Sequence, residues 1–271
     1  MAGTINGRVL IIAGSDSGGG AGIQADIKAV GALGAYAMTA ITALTAQNTL
    51  GVHGVFPIPI DFLHQQIAVV LDDLGADCVK TGMLHDAAVI ETVVAALVTH
   101  APGVPLVVDP VMVAKGGASL LVDEAVETLR TKLVPRATVL TPNLPEAEAL
   151  AGRTISGDGD MDAVGEALLA LGPQAVLLKG GHMEGSMVRD RLVTAAGIRI
   201  FENPRIDTMH THGTGCTLAS SIAAGVAQGL ALEDAVARAE AYLHEAILTA
   251  PGLGGGHGPV NHLHTVRVFS R

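Results

Sequence analysis

Apolar and polar positions along the chain fall into two alternating patterns. Short apolar runs, most of them ended by glycine or proline, read as buried strands. They are Arg8-Val9-Leu10-Ile11-Ile12-Ala13-Gly14, Asp77-Cys78-Val79-Lys80-Thr81-Gly82-Met83, Pro105-Leu106-Val107-Val108-Asp109-Pro110-Val111, Thr138-Val139-Leu140-Thr141-Pro142-Asn143 and Gln174-Ala175-Val176-Leu177-Leu178-Lys179-Gly180-Gly181-His182. Between them, apolar residues return every three or four positions, as on a helix with one buried face. Such a helix is expected over about residues 23–33, and again along Leu63, Ile67, Val70, Leu71 and Leu74. Asp86 reads as the N-cap of a helix carrying Ile90, Val93, Val94 and Leu97. Further stripes are Val122, Val126, Leu129 and Leu133; Leu218, Ile222 and Val226; and Leu232, Val236, Ala239, Leu243 and Ile247. Residues 188–200 should form edge strands or a hairpin around Gly197, and the Gly/His-rich residues 252–264 a loop.

Strands alternating with helices imply an α/β fold, a mostly parallel sheet with helices on both faces. No linker or shift in composition divides the chain, so residues 1–271 are expected to form a single domain. Strand ends and helix starts gather on one edge of such a sheet, and that edge is where a ligand binds.

Composition sharpens this in three ways. With 49% hydrophobic residues, only 2% aromatic ones and no Trp, the core must be built from Ala, Val, Leu and Ile. A net charge of −10 with so few rings lacks both the basic patch and the stacking platforms of a nucleic-acid surface. The two cysteines, Cys78 and Cys216, and eleven scattered histidines form no metal-binding spacing; reduced thiols and a cytoplasmic setting are expected. Residues 30–60 and 213–232 carry no charge, but glycines, prolines and polar residues interrupt them, so no membrane span is expected. The N-terminus lacks a basic segment followed by an apolar one, so no signal peptide is indicated.

Chemistry concentrates in Thr211-His212-Gly213-Thr214-Gly215-Cys216-Thr217. The two glycines permit a tight turn, and the stripe that follows makes this turn a helix start. The first N–H groups of a helix lack intrahelical partners and carry the positive end of its dipole, so an anion is the expected ligand. Cys216 would lie in the first turn, where a thiol's pKa falls. A plain glycine turn with a small buried cysteine accounts for these seven residues equally well. Near the N-terminus, Ser15-Asp16-Ser17-Gly18-Gly19-Gly20-Ala21-Gly22 joins a strand to a helix, and Gly20-x-Gly22-x-x-Ala25 matches a dinucleotide fingerprint. The ribose-binding acid expected about 20 residues further on is missing.

Other polar residues sit at strand ends. Gln47 closes a threonine-rich apolar run and could read a heterocycle edge, or be an ordinary loop amide. Asp109 ends a strand. Asn143-x-x-Glu146 could be a capping pair, or could aim a carboxylate at a metal. Lys179 is costly to bury there without an anion. Together these suit phosphoryl transfer, which needs positioning and charge neutralisation more than covalent chemistry. The N–H groups of residues 213–216 would hold the phosphoryl group, Lys179 would balance its charge, and Asp109 and Glu146 would hold Mg²⁺ partly through water. No Walker A or protein-kinase signature is present.

Gly14-Ser15-Asp16…Gly22-Ile23-Gln24-Ala25-Asp26, Thr45-Ala46-Gln47-Asn48-Thr49, Lys80-Thr81-Gly82-Met83, Asp109-Pro110-Val111-Met112, Thr141-Pro142-Asn143-x-x-Glu146-Ala147, Leu178-Lys179-Gly180-Gly181-His182 and His212-Gly213-Thr214-Gly215-Cys216-Thr217 are together similar to the hydroxymethylpyrimidine/phosphomethylpyrimidine kinases of thiamine synthesis. The resemblance runs from Val9 to about His262. It implies a ribokinase-like three-layer α/β/α fold. It also implies an ATP- and Mg²⁺-dependent kinase acting on 4-amino-5-hydroxymethyl-2-methylpyrimidine and then on its monophosphate, often as a homodimer. Carried over, Gln47 bonds the pyrimidine, and Asp26, Gly14, Met83 and Val111 line its pocket. Lys179, Thr214 and Asn143 meet the nucleotide. Gly213, Gly215, Lys179 and Cys216 carry the transfer, with Cys216 standing where relatives have an aspartate base. Asp109 and Glu146 are the metal ligands. The chain departs from the family pattern at Ser17-Gly18, which would loosen the substrate loop, and at His210, a peripheral position. Pyridoxal kinase is the nearest alternative; a silent vitamin- or nucleotide-binding module and a dinucleotide oxidoreductase are others. Residues 115–119 are a candidate lid.

Overall fold

In the computed structural model, residues 5–113, 117 and 120–267 are described. The candidate lid therefore lies, apart from Gly117, outside the described residues. Nine strands form one sheet in the order β3-β2-β1-β4-β5-β6-β7-β8-β9. They are β1 (Arg8–Asp16), β2 (Tyr36–Asn48), β3 (Gly51–Pro57), β4 (Cys78–Thr81), β5 (Leu106–Val108), β6 (Val139–Leu140), β7 (Ala175–Leu178), β8 (Met187–Thr194) and β9 (Gly197–Pro204). From β2 through β7 the neighbours are parallel. β3 at one edge and the β8–β9 pair at the other are antiparallel. The hairpin expected around Gly197 is that second edge.

Among the described residues, eight α-helices cover the two faces: α1 (Gly22–Ala32), α2 (Ile60–Asp73), α3 (Ala87–His100), α4 (Asp123–Thr128), α5 (Leu144–Ala151), α6 (Asp158–Leu169), α7 (Thr214–Ala227) and α8 (Leu232–Leu248). The central strands are buried on both sides, so their alternate residues feed two cores. Leu10, Ile12, Val108, Leu140 and Leu178 pack with Leu63, Ile67, Ile90, Val93, Leu150 and Met161 of the helices on one face. Val9, Ile11, Val107, Val139 and Leu177 pack with Ile23, Leu218, Ile222 and Val236 of α1, α7 and α8 on the other. The result is the expected three-layer α/β/α sandwich. No helix among the described residues is long and apolar enough to cross a membrane.

Local chemistry explains most boundaries. Asp86 caps α3 by accepting from the Val89 N–H at 2.9 Å, as its position predicts. The helix expected along Val122–Leu133 ends earlier: α4 stops at Thr128, widens into a π turn through residues 129–133 and tightens to a 3-10 turn before Ala137. Pro135, which has no N–H to donate, lies where the widened helix ends. β2 shows in the sequence only as a threonine-rich apolar run, and β3 and α6 have no counterpart in the sequence reading. β3 begins at Gly51 and carries Gly54 within it, and α6 starts among Gly157 and Gly159.

Candidate functional site

The carboxyl ends of the parallel strands open onto a cavity of about 620 Å³. Gly14, Gln47, Met83, Asp109, Val111, Asn143, Glu146, Lys179, Gly213, Thr214, Gly215 and Cys216 all lie on its wall. Of the residues expected in the site, Asp26 alone does not. It is fully buried on α1, where its Oδ1 accepts from Lys80 Nζ at 2.8 Å and from Ser220 Oγ at 2.6 Å. A carboxylate beside an ammonium that is itself fully buried belongs to the foundation of the site, below the pocket wall.

The glycine turn forms as expected, and α7 starts directly after it. Gly213 has φ +83, a left-handed conformation, and a Cβ there would lie 1.8 Å from the Gly20 carbonyl oxygen. The turn thus rests against the loop that follows β1. Gly215 faces the charged groups: a Cβ there would lie 3.4 Å from Lys179 Nζ and 3.7 Å from Asp109 Oδ2. Lys179 extends from the end of β7 to bond Asp109 Oδ1 at 3.1 Å. Burial works against the Lys179 charge, but Asp109 and Glu146 more than offset it, and the ammonium is held above its ordinary pKa. The start of a helix and a protonated lysine therefore converge on one corner of the cavity.

Asn143 and Glu146 form a reciprocal capping box on α5. Asn143 Oδ1 accepts from the Glu146 N–H at 2.9 Å, and a Glu146 carboxylate oxygen accepts from the Asn143 N–H at 2.8 Å. The capping reading of this pair therefore holds, and Glu146 still lines the cavity. Burial pushes its carboxyl up to about 7, Lys179 partly countering this and Asp109 adding to it.

Cys216 departs from expectation. Burial pushes its thiol up to about 12, and the Lys80 charge recovers only part of the shift. The helix start is a local influence, and desolvation of this half-buried thiol on the cavity wall outweighs it.

Gln47 is not a loop amide. It lies within β2 at a register shift opposite Val52 of β3. Thr45 Oγ1 donates to its Oε1 at 3.2 Å, and its Nε2 is 3.4 Å from His212 Nε2. Nor does Ser17 loosen the loop: its hydroxyl donates to the Gln47 carbonyl and accepts from the Gln47 N–H, both at 2.8 Å.

Two functional features were not singled out from the sequence. One is Lys80, buried beneath the cavity floor against Asp26, with Cys216 and Asp109 within its field. The other is Asp16. Its Oδ2 accepts from the N–H groups of Gly20 and Ala21 at 3.0 and 2.8 Å and lies 2.9 Å from His212 Nε2; its Oδ1 accepts from the Gly18 N–H at 2.8 Å. One carboxylate thus ties the loop after β1 to the residue before Gly213. The seven-residue motif contains His212, but its partner lies 196 positions away.

The geometry can be set beside known proteins. The family model described as phosphomethylpyrimidine kinase matches residues 16–261. The chain is 50% identical over 256 residues to the hydroxymethylpyrimidine/phosphomethylpyrimidine kinase of Bacillus subtilis, covering 94% of each. Among solved structures, phosphomethylpyrimidine kinase from Clostridium difficile superposes with a TM-score of 0.79 at 43% identity, covering 89% of this chain and 99% of that one. The pyridoxal kinase from Staphylococcus aureus, in complex with AMP-PCP and pyridoxal, superposes with a TM-score of 0.89 at 32% identity, covering 97% and 96%. These similarities make the sandwich ribokinase-like, as expected.

Asp16 carries a pH signature. Burial opposes its ionisation, but His212 and the N–H groups of Ala21 and Gly18 outweigh burial and hold the carboxyl below its ordinary 3.8. A carboxyl depressed in the fold stabilises it above the unfolded value, and that stabilisation is lost as pH falls through the folded value. Urea unfolding of Asp16→Asn should therefore show a weaker fold at neutral pH and a shallower loss of stability below pH 3.8 than the parent. Parallel curves would remove Asp16 from this role.

Proposed function

The chain belongs to the phosphomethylpyrimidine kinase family, and on that footing we propose that it phosphorylates 4-amino-5-hydroxymethyl-2-methylpyrimidine with ATP and then converts the monophosphate to the diphosphate for thiamine biosynthesis. The observation that carries this reading is the convergence of the α7 start and Lys179 on one cavity that Gln47 also lines. Half-buried Gln47 offers a donor and an acceptor, which suits the aminopyrimidine edge. Gly14, Met83 and Val111 supply the apolar surround. Identity of 50% to a pyrimidine kinase, against 32% to a pyridoxal kinase, favours the pyrimidine over the pyridoxal ring. The dinucleotide-oxidoreductase reading gains nothing, because Gly20 and Gly22 pack on His212 and the Gly14 carbonyl. Lys179 and Asp109 at the helix start argue against a silent binding module.

The nucleotide would enter beside β8 and β9. A second cavity, of about 280 Å³, lies there and shares Asn143, Lys179, Thr214 and Gly215 with the first. Lys179 Nζ and the N–H groups at the start of α7 would hold the transferring phosphoryl group between the two cavities. Left-handed Gly213 starts α7 at the cavity wall, and Thr214 and Asn143, which line both cavities, would flank the phosphates.

The wall also fits a magnesium ion. Asp109 and Glu146 offer carboxylate oxygens at 2% and 5% residue exposure on one side of the cavity. No cluster of three His, Cys, Asp or Glu side chains occurs among the described residues, so phosphate oxygens and water would complete the shell. Such an ion supplies neutralisation of charge on the phosphates.

Cys216 acts as a thiol. With its pKa pushed up to about 12, it holds its proton at neutral pH and is a poor base. In a loose phosphoryl transfer the alcohol's proton departs late, so no strong base is demanded. The second transfer starts from a phosphate that is already ionised. Cys216 then serves to pack the reacting end of the substrate against α7.

An ADP-release assay on the pyrimidine alcohol, its monophosphate and pyridoxal tests this reading. The two pyrimidines should be turned over in preference to pyridoxal, and the reverse preference would overturn the reading. In the same assay, Cys216→Ala should slow both pyrimidine steps by a similar factor, no more than about tenfold. A loss of about a hundredfold or more confined to the alcohol step would make Cys216 the base.

For the assembly we infer a homodimer through the β3 edge. Leu44 and Phe56 face each other across the β2–β3 pair, and both are exposed; Leu50, at the turn between the two strands, and Phe62, at the start of α2, are exposed as well. An edge strand with large apolar residues is a pairing surface unless covered. Light scattering should report a dimer for the parent and a monomer for Phe56→Asp; a parent monomer, or an undisturbed dimer in the variant, would contradict the assignment.

A further inference from the structure

Two carboxyl groups meet on the wall of the second cavity, and neither has a part in the mechanism above. Asp190 on β8 and Glu240 on α8 are 5% and 7% exposed, and their carboxyl groups lie within hydrogen-bonding reach of each other. Asp190 Oδ1 also accepts from the Gly180 N–H at 2.7 Å. Glu240 Oε2 accepts from Asn203 Nδ2 at 3.1 Å, while its buried Oε1 has no N–H or O–H donor. Two carboxylates cannot hydrogen-bond each other unless one supplies a proton, and two buried like charges in contact repel strongly. The arrangement balances if Glu240 Oε1 carries the hydrogen and Asp190 stays ionised.

The charged groups around the pair agree with that division. Burial holds the Asp190 carboxyl above its ordinary value, while Glu240, the Gly180 N–H and the charges of Lys179, at the end of β7, and Arg191, on β8, favour its ionised form. Arg191 is also committed to Asp158 and Asp162. Lys179 favours the Glu240 charge but is outweighed: burial, then Asp190, push the Glu240 carboxyl up to about 9. Arg205, beyond β9, spends its guanidinium on the carbonyls of Gly181, Met183 and Gly185. His244, one turn along α8, faces the Pro204 carbonyl. His182 also lines this cavity, and α7 contributes Thr214, Gly215 and Leu218, none of which titrates near neutrality.

What the pair holds is the turn directly after Lys179. Gly180 packs so closely on β8 that a Cβ would lie 2.1 Å from the Arg189 carbonyl oxygen. The hydrogen bond to Asp190 fixes the one N–H between that packing and the lysine. We propose that Glu240 is a positioning residue: it donates its proton to the Asp190 carboxylate, and Asp190 in turn anchors the Gly180 N–H and with it the lysine that meets the nucleotide. The assignment rests on the phosphotransferase reading for its purpose, but the shared proton itself stands independently of it.

Two readouts on the full chain test this, using the parent, Glu240→Gln, Glu240→Ala and Asp190→Asn. Infrared difference spectra between parent and Glu240→Gln at neutral pH should show a protonated-carboxyl band in the parent that the variant lacks. Calorimetric titration with magnesium AMP-PCP should show Glu240→Gln binding like the parent at neutral pH, since the amide still donates. Glu240→Ala and Asp190→Asn should each bind about tenfold more weakly, the loss of one charge-assisted hydrogen bond. The KM for the pyrimidine should not change. The parent's affinity should fall as pH rises past about 9, and Glu240→Gln should lack that fall. No protonated-carboxyl band in the parent, or equal weakening by Gln and Ala, would overturn the proposal. Absent pyrimidine kinase activity together with an intact band would instead overturn the function and leave the pair.

Discussion

The site depends on one electrostatic meeting. The positive end of α7 and the Lys179 ammonium share a corner of the cavity, and Asp109 keeps the two from repelling until an anion arrives. In the free protein the carboxylate holds the lysine in place; a phosphate entering the corner would find the cationic partners already arranged. Preorganisation of this kind costs no rearrangement at the moment of transfer. Buried ionic groups are tolerated here because Lys179 pairs with Asp109 and Lys80 with Asp26.

A second tier of ionic contacts holds the first. Lys80 and Asp26 sit below the floor, and Asp16 ties the β1 loop to His212 just ahead of the glycine turn. Gly213 requires a left-handed backbone and contact with Gly20, so the turn cannot shift without that loop. The C-terminal glycine-rich segment adds a brace: the His212 N–H donates to the Gly258 carbonyl, and the His257 N–H to that of Thr49. The loop expected there is irregular in shape but not passive, since it ties the end of β2 to the start of α7.

What could be read from the sequence was local. The buried strands announce themselves as apolar runs, and α7 by the four-residue recurrence behind two glycines. The strand-end positions of Asp109, Asn143, Lys179 and Gln47 follow from those elements, and all four reach the cavity. What escaped was long-range or a matter of degree. Asp26 lies on a helix next to the right loop, but its direction depends on Lys80, 54 positions away. Glu240 reads as an ordinary acid on an amphipathic helix until β8 is placed against it. The Cys216 thiol shows two influences in competition: the helix start favours the thiolate, burial opposes it, and only the depth of the site decides which prevails. β3 and α6 were missed because glycines at their ends mimic loops.

The most direct measurement is a crystal structure of the protein with magnesium AMP-PCP and the pyrimidine alcohol. The account predicts the terminal phosphate within hydrogen-bonding distance of Lys179 Nζ and of N–H groups in residues 214–216, with the hydroxymethyl group facing it and the ring against Gln47. A terminal phosphate bound away from the start of α7, or a ring seated away from Gln47, would contradict it.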